Sequence, residues 1–141
     1  MPSAPITPIS IFVVKVPDID TIGMFMRCSG LELQVDVLEY AEGGNNEFVH
    51  QLPGRIRYPN LVLARGLTNE DAVFKWFSAT RTKADRKEVT ITFQTHQAQP
   101  IRTFTFADAF PVRWTGPVSE AGTSTVALET LEIAHGGLKG F

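Results

Sequence analysis

Alternating apolar and polar positions dominate the chain and predict β-strands. In residues 31–37 every second side chain is apolar, and the same alternation recurs in residues 88–96. The two apolar rows are Leu31, Leu33, Val35 and Val37, and then Val89, Ile91 and Phe93. A period of two places one face of a strand on a core and the other face in water. We therefore expect two half-buried strands here.

Five further segments have the composition of strands. They are residues 10–16, 56–66, 101–109, 110–116 and 124–135. Pro59 inside the second of them indicates an edge position or a bulge. In residues 124–135 Val126 and Leu128 lie on one face and Leu131 and Ile133 on the other, which indicates a bulge or a segment covered on both sides. A helix over residues 126–135 is the less favoured alternative.

A long connection separates the strand at 31–37 from the strand at 56–66. Residues 41–55 contain Gly43, Gly44, Asn45 and Asn46, which are typical turn residues. The two strands are therefore predicted to form a hairpin with an oversized loop. Loops of this length in compact domains are generally functional or mobile.

One helix is predicted, over about residues 69–80. Thr68 is the predicted N-cap, and Asp71 follows three residues later as an acidic partner. Val73, Trp76 and Phe77 lie on one stripe at helical spacing. The fold class is therefore mainly β: an antiparallel β-sandwich or barrel of about six to seven strands with one flanking α-helix.

Composition favours one folded domain over residues 1–141, because 43% of the 141 residues are hydrophobic and only 20% are charged. The net charge of −2 excludes a basic nucleic-acid-binding surface. Residues 1–8 contain three prolines and are expected to form an extended N-terminal arm. The first ten residues lack the basic and apolar regions of a signal peptide, so we expect assembly in the cytoplasm without one.

Candidate catalytic groups are isolated in the sequence. The three histidines lie in separate elements, and no metal-binding, nucleotide-binding or nucleophile-elbow motif occurs. Arg27 beside Cys28 could lower the pKa of the thiol, but a buried or inert thiol is favoured. Glu129 and Glu132 could act as paired carboxylates, although charges at a sheet rim or an intersubunit pair are favoured.

Two features have both an ordinary and a functional interpretation. The polar rows of the two alternating strands are Glu32, Gln34 and Asp36, and Thr90, Thr92 and Gln94. They fit a solvated sheet or the wall of a hydrophilic channel. The long loop fits either a mobile loop or an arm that pairs with a neighbour by strand addition. The pattern alone indicates a soluble β-rich domain that serves as an assembly subunit.

Several segments together resemble a known family. They are FVVKVPDI (12–19), FMRCSGLELQVDVLEY (25–40), YAEGGNN (40–46), LPGRIRYPNLVLARGLT (52–68), Trp76, FPVRWTGP (110–117) and VALETLEIAHGGL (126–138). In this order they resemble the tail tube proteins of contractile phages, and still more the inner tube subunits of extracellular contractile injection systems. The resemblance covers nearly the whole chain.

The resemblance implies a structural subunit with no enzymatic activity and no cofactor. Such subunits form hexameric rings that stack into a hollow tube inside a contractile sheath. The implied partners are other copies of the chain, the sheath, baseplate or hub proteins, a terminating cap and cargo, with nucleic acid only if the particle is a phage. A tube-initiator or baseplate-hub relative is the first alternative, and a small β-barrel enzyme or binding module is the second.

The resemblance also implies positions in a tube for the polar rows, the long loop, the helix and the two terminal segments. The lumen-lining residues would be Glu32, Gln34, Asp36, Thr90, Thr92 and Gln94. The loop that contacts a neighbouring subunit or ring would have its tip at Gly43, Gly44, Asn45, Asn46, Glu47 and Phe48. The sheath-facing surface would carry Glu70, Asp71 and Lys75. The N-terminal arm and residues 136–141 are expected at contacts between subunits.

Overall fold

A computed structural model describes residues 11–17, 20–40, 49–68, 71–82, 86–117, 122 and 127–139. These residues form ten strands and one helix. In chain order they are β1 (Ile11–Val16), β2 (Asp20–Phe25), β3 (Arg27–Ser29), β4 (Gln34–Tyr40), β5 (His50–Arg57), β6 (Leu61–Gly66), α1 (Ala72–Thr82), β7 (Lys87–Gln94), β8 (Pro100–Thr115), β9 (Leu128–Ala134) and β10 (Gly137–Lys139). The predicted N-terminal arm and the predicted loop tip at 43–48 lie outside the described residues.

Eight of the strands form one antiparallel sheet. Its order is β2-β1-β7-β8-β9-β6-β3, and β10 adds to β8. The remaining strands, β4 and β5, form a separate two-stranded sheet. The predicted fold class, an antiparallel mainly β fold with one helix, is confirmed.

The large sheet curls round until its two ends meet. β2 and β3 lie at opposite ends of the sheet order, yet Met26 alone separates them along the chain. The Met26 N–H donates a 3.0 Å hydrogen bond to the Ala64 carbonyl on β6. Among the described strands no ladder joins β2 to β3, so the fold is sandwich-like rather than a closed barrel.

The hydrophobic core lies inside the curled sheet. The prediction that the strand in residues 88–96 packs its apolar face on the core is confirmed. Val89, Ile91 and Phe93 are buried on β7, while the threonines between them are partly exposed. Val73 and Trp76 of α1 are also buried and join this core. Burial of these apolar faces is the main driving force for the fold.

The helix begins later than predicted. It spans Ala72–Thr82, and the Asp71 carbonyl accepts the first helical hydrogen bond, from the Lys75 N–H at 2.9 Å. Asp71, rather than Thr68, therefore occupies the N-cap position. Within the described residues no helix is both long enough and apolar enough to cross a membrane.

Several predicted strand boundaries are wrong. The segment 56–66 is two strands, because β5 ends at Arg57 and β6 begins at Leu61, with Pro59 between them. The hairpin connection is correspondingly shorter than 41–55, since His50 already belongs to β5.

The segments 101–109 and 110–116 are one strand, β8, which continues through a positive φ of 52° at Asp108. The strand predicted at 124–135 begins at Leu128, which is exposed, whereas Leu131 and Ile133 are buried.

Candidate assembly interface

The β4–β5 hairpin stands apart from the large sheet. Within the described residues, β4 pairs with β5 and with no other strand. Gln34 lies opposite Arg57, Val35 opposite Ile56 and Val37 opposite Pro53, with a bulge between the last two pairs. An ion pair of 2.7 Å between Arg57 Nε and Asp36 Oδ2 links the strands near the base of the hairpin.

One face of the hairpin is apolar and uncovered. Val35 and Ile56, and then Val37 and Pro53, share this face because directly opposed residues in an antiparallel pair project to the same side. Val35 is 39% exposed and Val37 is 58% exposed. The prediction that the apolar row of this strand packs on a core of its own chain is therefore wrong.

The outer half of the hairpin is apolar on its other face too. Leu38 lies opposite Leu52, and Tyr40 follows on the same side, and all three are exposed. An isolated two-stranded sheet is only marginally stable in water. Contiguous exposed apolar surface on a soluble protein marks an interaction site. The hairpin is thus a candidate interface, because the described residues of its own chain leave these apolar side chains exposed.

The two predicted lumen rows lie in different sheets. Gln34 and Asp36 are on β4, whereas Thr90, Thr92 and Gln94 are on β7, which pairs with β1 and β8. Glu32 precedes β4 and is exposed. Their assignment to a lumen stays a prediction.

The polar face of β7 continues onto the neighbouring strands. Thr92 Oγ1 and Thr103 Oγ1 of β8 are 3.2 Å apart and hydrogen-bonded. Lys139 Nζ donates to Glu88 Oε2 at 2.8 Å, and this hydrogen bond, assisted by the carboxylate charge, raises the pKa of Lys139. The described residues of this face therefore form a hydrophilic surface, and none of the contacts among them forms a catalytic constellation.

Two of the three predicted sheath-facing residues lie within the described residues. Asp71 and Lys75 are exposed at the start of α1, while Glu70 lies outside the described residues. Phe74, between them, is exposed on one side and packs edge-on against Trp114, with ring centroids 5.0 Å apart.

A buried polar cluster was not predicted from the sequence. Arg65 Nε donates to Glu129 Oε1, and Trp114 Nε1 donates to Glu129 Oε2 at 3.0 Å. The expectation that Glu129 is a rim charge or an intersubunit pair is therefore wrong, because this carboxylate is buried and paired within the chain. Only Glu132 is near the surface, with its Oε2 4.0 Å from Arg113 Nε.

The sequence profile of the T4-like virus tail tube protein gp19 matches residues 10–139. The chain belongs to this tail tube family. The family is structural and not enzymatic, so the chain has a tail tube-like structural role. No curated protein matches the chain by sequence.

Solved structures of contractile injection systems contain similar chains. A chain in the cryo-EM structure of the anti-feeding prophage baseplate is 27% identical, with a TM-score of 0.79, and the match covers 98% of this chain and 96% of that chain. A chain of the sheath/tube terminator of the extracellular contractile injection system PVC is 25% identical, with a TM-score of 0.80 and 97% of each chain covered. A chain of the PVC sheath–tube complex in the extended state is 24% identical, with a TM-score of 0.80 and coverage of 96% and 90%.

Two remaining candidate groups of this tail tube family chain, Cys28 and His135, have structural rather than catalytic roles. Burial raises the pKa of the Cys28 thiol to about 11, so the thiol is protonated at neutral pH and unreactive. The Gly137 N–H donates to His135 Nδ1 at 3.1 Å, which leaves Nε2 to donate to the Pro59 carbonyl at 3.1 Å. His135 thus joins β9 to the segment between β5 and β6.

Proposed function

We propose that the chain is the repeating subunit of the rigid inner tube of a contractile injection system or phage tail. Hexameric rings of the chain stack into a hollow conduit, and contraction of a surrounding sheath drives this conduit through a target envelope to deliver cargo. The observation that carries the proposal is the uncovered apolar face of the β4–β5 hairpin.

Burial of that face in a neighbouring subunit explains why the hairpin is stable in an assembly. Each Val or Ile side chain that becomes fully buried contributes about 1.5–3 kcal/mol. The face carries Val35, Val37 and Ile56, which are 39%, 58% and 42% exposed, so a neighbour that covers it gains about half of that amount from each side chain. The predicted loop tip at 43–48 extends the same arm toward the neighbouring subunit or ring.

The polar face of β7 suits the wall of a conduit. Thr90, Thr92 and Gln94 offer hydroxyl and amide groups and no large apolar patch, so a cargo would slide past without adhering. Glu32, Gln34 and Asp36 would extend this wall. If the particle is a phage, the cargo is nucleic acid.

The partners follow from the same proposal. The similar chains come from structures of a baseplate, a sheath–tube complex and a sheath/tube terminator, which supports contacts of this chain with sheath, baseplate and cap proteins. The exposed start of α1, with Asp71 and Lys75, is the proposed sheath-facing surface. Assembly in the cytoplasm, as part of a phage-tail-like particle, belongs to the same proposal.

A second candidate is a tube initiator or baseplate hub protein with the same fold. The similarity to a chain in a baseplate structure supports this second candidate. Copy number separates the two candidates, because a tube subunit repeats along the whole particle while an initiator occurs once or a few times.

The test is a pair of matched variants in sedimentation velocity. Val35→Asp places a charge on the hairpin face, and Val112→Asp places one on a comparably exposed valine of β8, 41% against 39%. We expect Val35→Asp to keep the wild-type circular dichroism spectrum and to remain a monomer at concentrations where Val112→Asp assembles. Equal assembly of both variants would contradict the role of the hairpin.

A further inference from the structure

We infer that a trough on the outer face of β6 receives the outer half of the β4–β5 hairpin from a second copy of the chain. This inference rests on the proposed function, because it names the surface that the arm contacts. The trough is defined by Met26, Arg27, Ala64, Arg65 and Leu128, which line a cavity of about 140 Å³.

The trough has a floor of small residues and apolar sides. Ala64 lies opposite Arg27 on β3, and Gly66 lies opposite Leu128 on β9. A Cβ atom added at Gly66 would meet nothing within 4 Å, so the space above the floor is open. Met26 is 71% exposed, and Leu128 and the nearby Leu67 are exposed as well.

The apolar end of the hairpin matches these sides. Leu38, Tyr40 and Val49 are exposed on the outer half of the hairpin. An apolar side chain from this group would be removed from water on entering the trough, and so would Met26 and Leu128. Burial of both apolar surfaces would stabilise the contact, and neither surface is covered by the described part of its own chain.

Charge supplies the second match. Arg27 is exposed and forms no ion pair with another described residue. Residues 38–49 contain three glutamates, Glu39, Glu42 and Glu47, and no lysine or arginine. Arg27 at the rim of the trough therefore attracts the exposed Glu39 of a hairpin from a second copy.

Charge also argues against a second apolar recess among the described residues. That recess is lined by Leu31, Glu32, Leu33, Phe104, Phe106 and Leu138. Its one charged group is Glu32, which repels the Glu39 carboxylate of the hairpin. The two recesses are both apolar, so the sign of the charge decides between them.

The contact would propagate from copy to copy. The hairpin and the trough are different surfaces of the same chain, so a copy that donates its hairpin keeps its own trough free for another copy. Such a heterologous contact closes into a ring or continues as a stack. This is the geometry that a tube subunit requires.

Disulfide trapping tests the contact directly. Val49→Cys and Leu128→Cys would be combined in a chain that also carries Cys28→Ala, and Val49→Cys with Leu138→Cys would serve as the matched control in the other recess. Oxidation of assembled protein should give a reducible ladder of covalent oligomers with the first pair and a ladder at least tenfold weaker with the control pair. A ladder of equal or greater strength with the control pair would overturn the inference.

A charge swap keeps the test decisive if the cysteine variants fail to assemble. Arg27→Glu should raise the concentration needed for half-assembly at least tenfold, and Glu39→Arg added to it should recover most of that loss. An Arg27→Glu chain that assembles like wild type overturns the trough alone. A wild-type chain that stays monomeric at every concentration overturns the proposed function instead.

Discussion

Arg65 and Glu129 lie directly opposite each other on β6 and β9 and form an ion pair in the protein interior. Arg65 also donates to the Ile22 carbonyl on β2 at 2.9 Å and stacks over the Phe25 ring, with 4.6 Å from Cζ to the centroid. β2 is one end of the curled sheet, and β6 adjoins the other end. One guanidinium therefore holds the two ends of the sheet together.

Removal of one partner from this pair should be costly. Glu129→Ala leaves the Arg65 charge buried without its carboxylate, and the expected loss is about 3–5 kcal/mol in the free energy of unfolding. Glu132→Ala is the control, because its contact with Arg113 is long and near the surface and is worth less than about 1 kcal/mol. Urea unfolding measures both, and similar losses would contradict the structural role of the buried pair.

Acid should destabilise the protein through His135. Burial lowers the pKa of His135 in the folded state, so folding favours the neutral ring. The stabilisation is present above the unfolded pKa of about 6.5 and is lost as the pH falls below it, because the unfolded chain then binds the extra proton. Protonation also removes Nδ1 as the acceptor of the Gly137 N–H.

The comparison with His135→Gln isolates this effect. We expect the wild-type protein to lose more stability than His135→Gln between pH 7.5 and pH 5.5 in urea titrations. The two proteins differ only at position 135, so the contributions of all other residues cancel from the difference. The same loss in both proteins would show that His135 does not cause the pH dependence.

Gly30 should not tolerate a side chain. Its φ is +91°, and a Cβ atom would clash with the Asn60 carbonyl oxygen. Gly30→Ala combines left-handed backbone strain of about 1–3 kcal/mol with this backbone clash, so a clear fall in melting temperature is expected. Gly66→Ala is the control, because Gly66 has open space and no positive φ. Equal melting temperatures for the two variants would refute the prediction.

Thr92 should be accessible in the free subunit and shielded in a tube. Thr92→Cys, in a chain with Cys28→Ala, should react with a bulky maleimide reagent when monomeric and at least tenfold more slowly when assembled. Ser78→Cys, on the exposed face of α1, should react similarly in both states. Equal labelling of Thr92→Cys in tubes and monomers would place β7 outside the lumen.

Local pattern was sufficient where a strand packs within its own chain. The alternation in residues 88–96 predicts the buried and exposed faces of β7 correctly, because the apolar face is buried in the core of the same chain. The same alternation in residues 31–37 predicts a core that the single chain does not supply. Periodicity shows that a face is apolar, but it does not show which molecule covers it.

Contacts distant in sequence account for the other differences. Glu129 is 64 residues from Arg65, so nothing near it in the sequence indicates a buried pair. The sequence predicts two strands over residues 101–109 and 110–116, yet pairing with β7, β9 and β10 keeps β8 continuous. The short β3 is specified by its ladder to β6 rather than by its own three residues.

Negative-stain electron microscopy of the purified chain at rising concentration tests the central claim most directly. We predict hollow rings with six subunits that stack into tubes, and the loss of both in the Val35→Asp variant. Single subunits at every concentration, with no rings in the wild-type chain, would contradict the account of this protein as a self-assembling tube subunit.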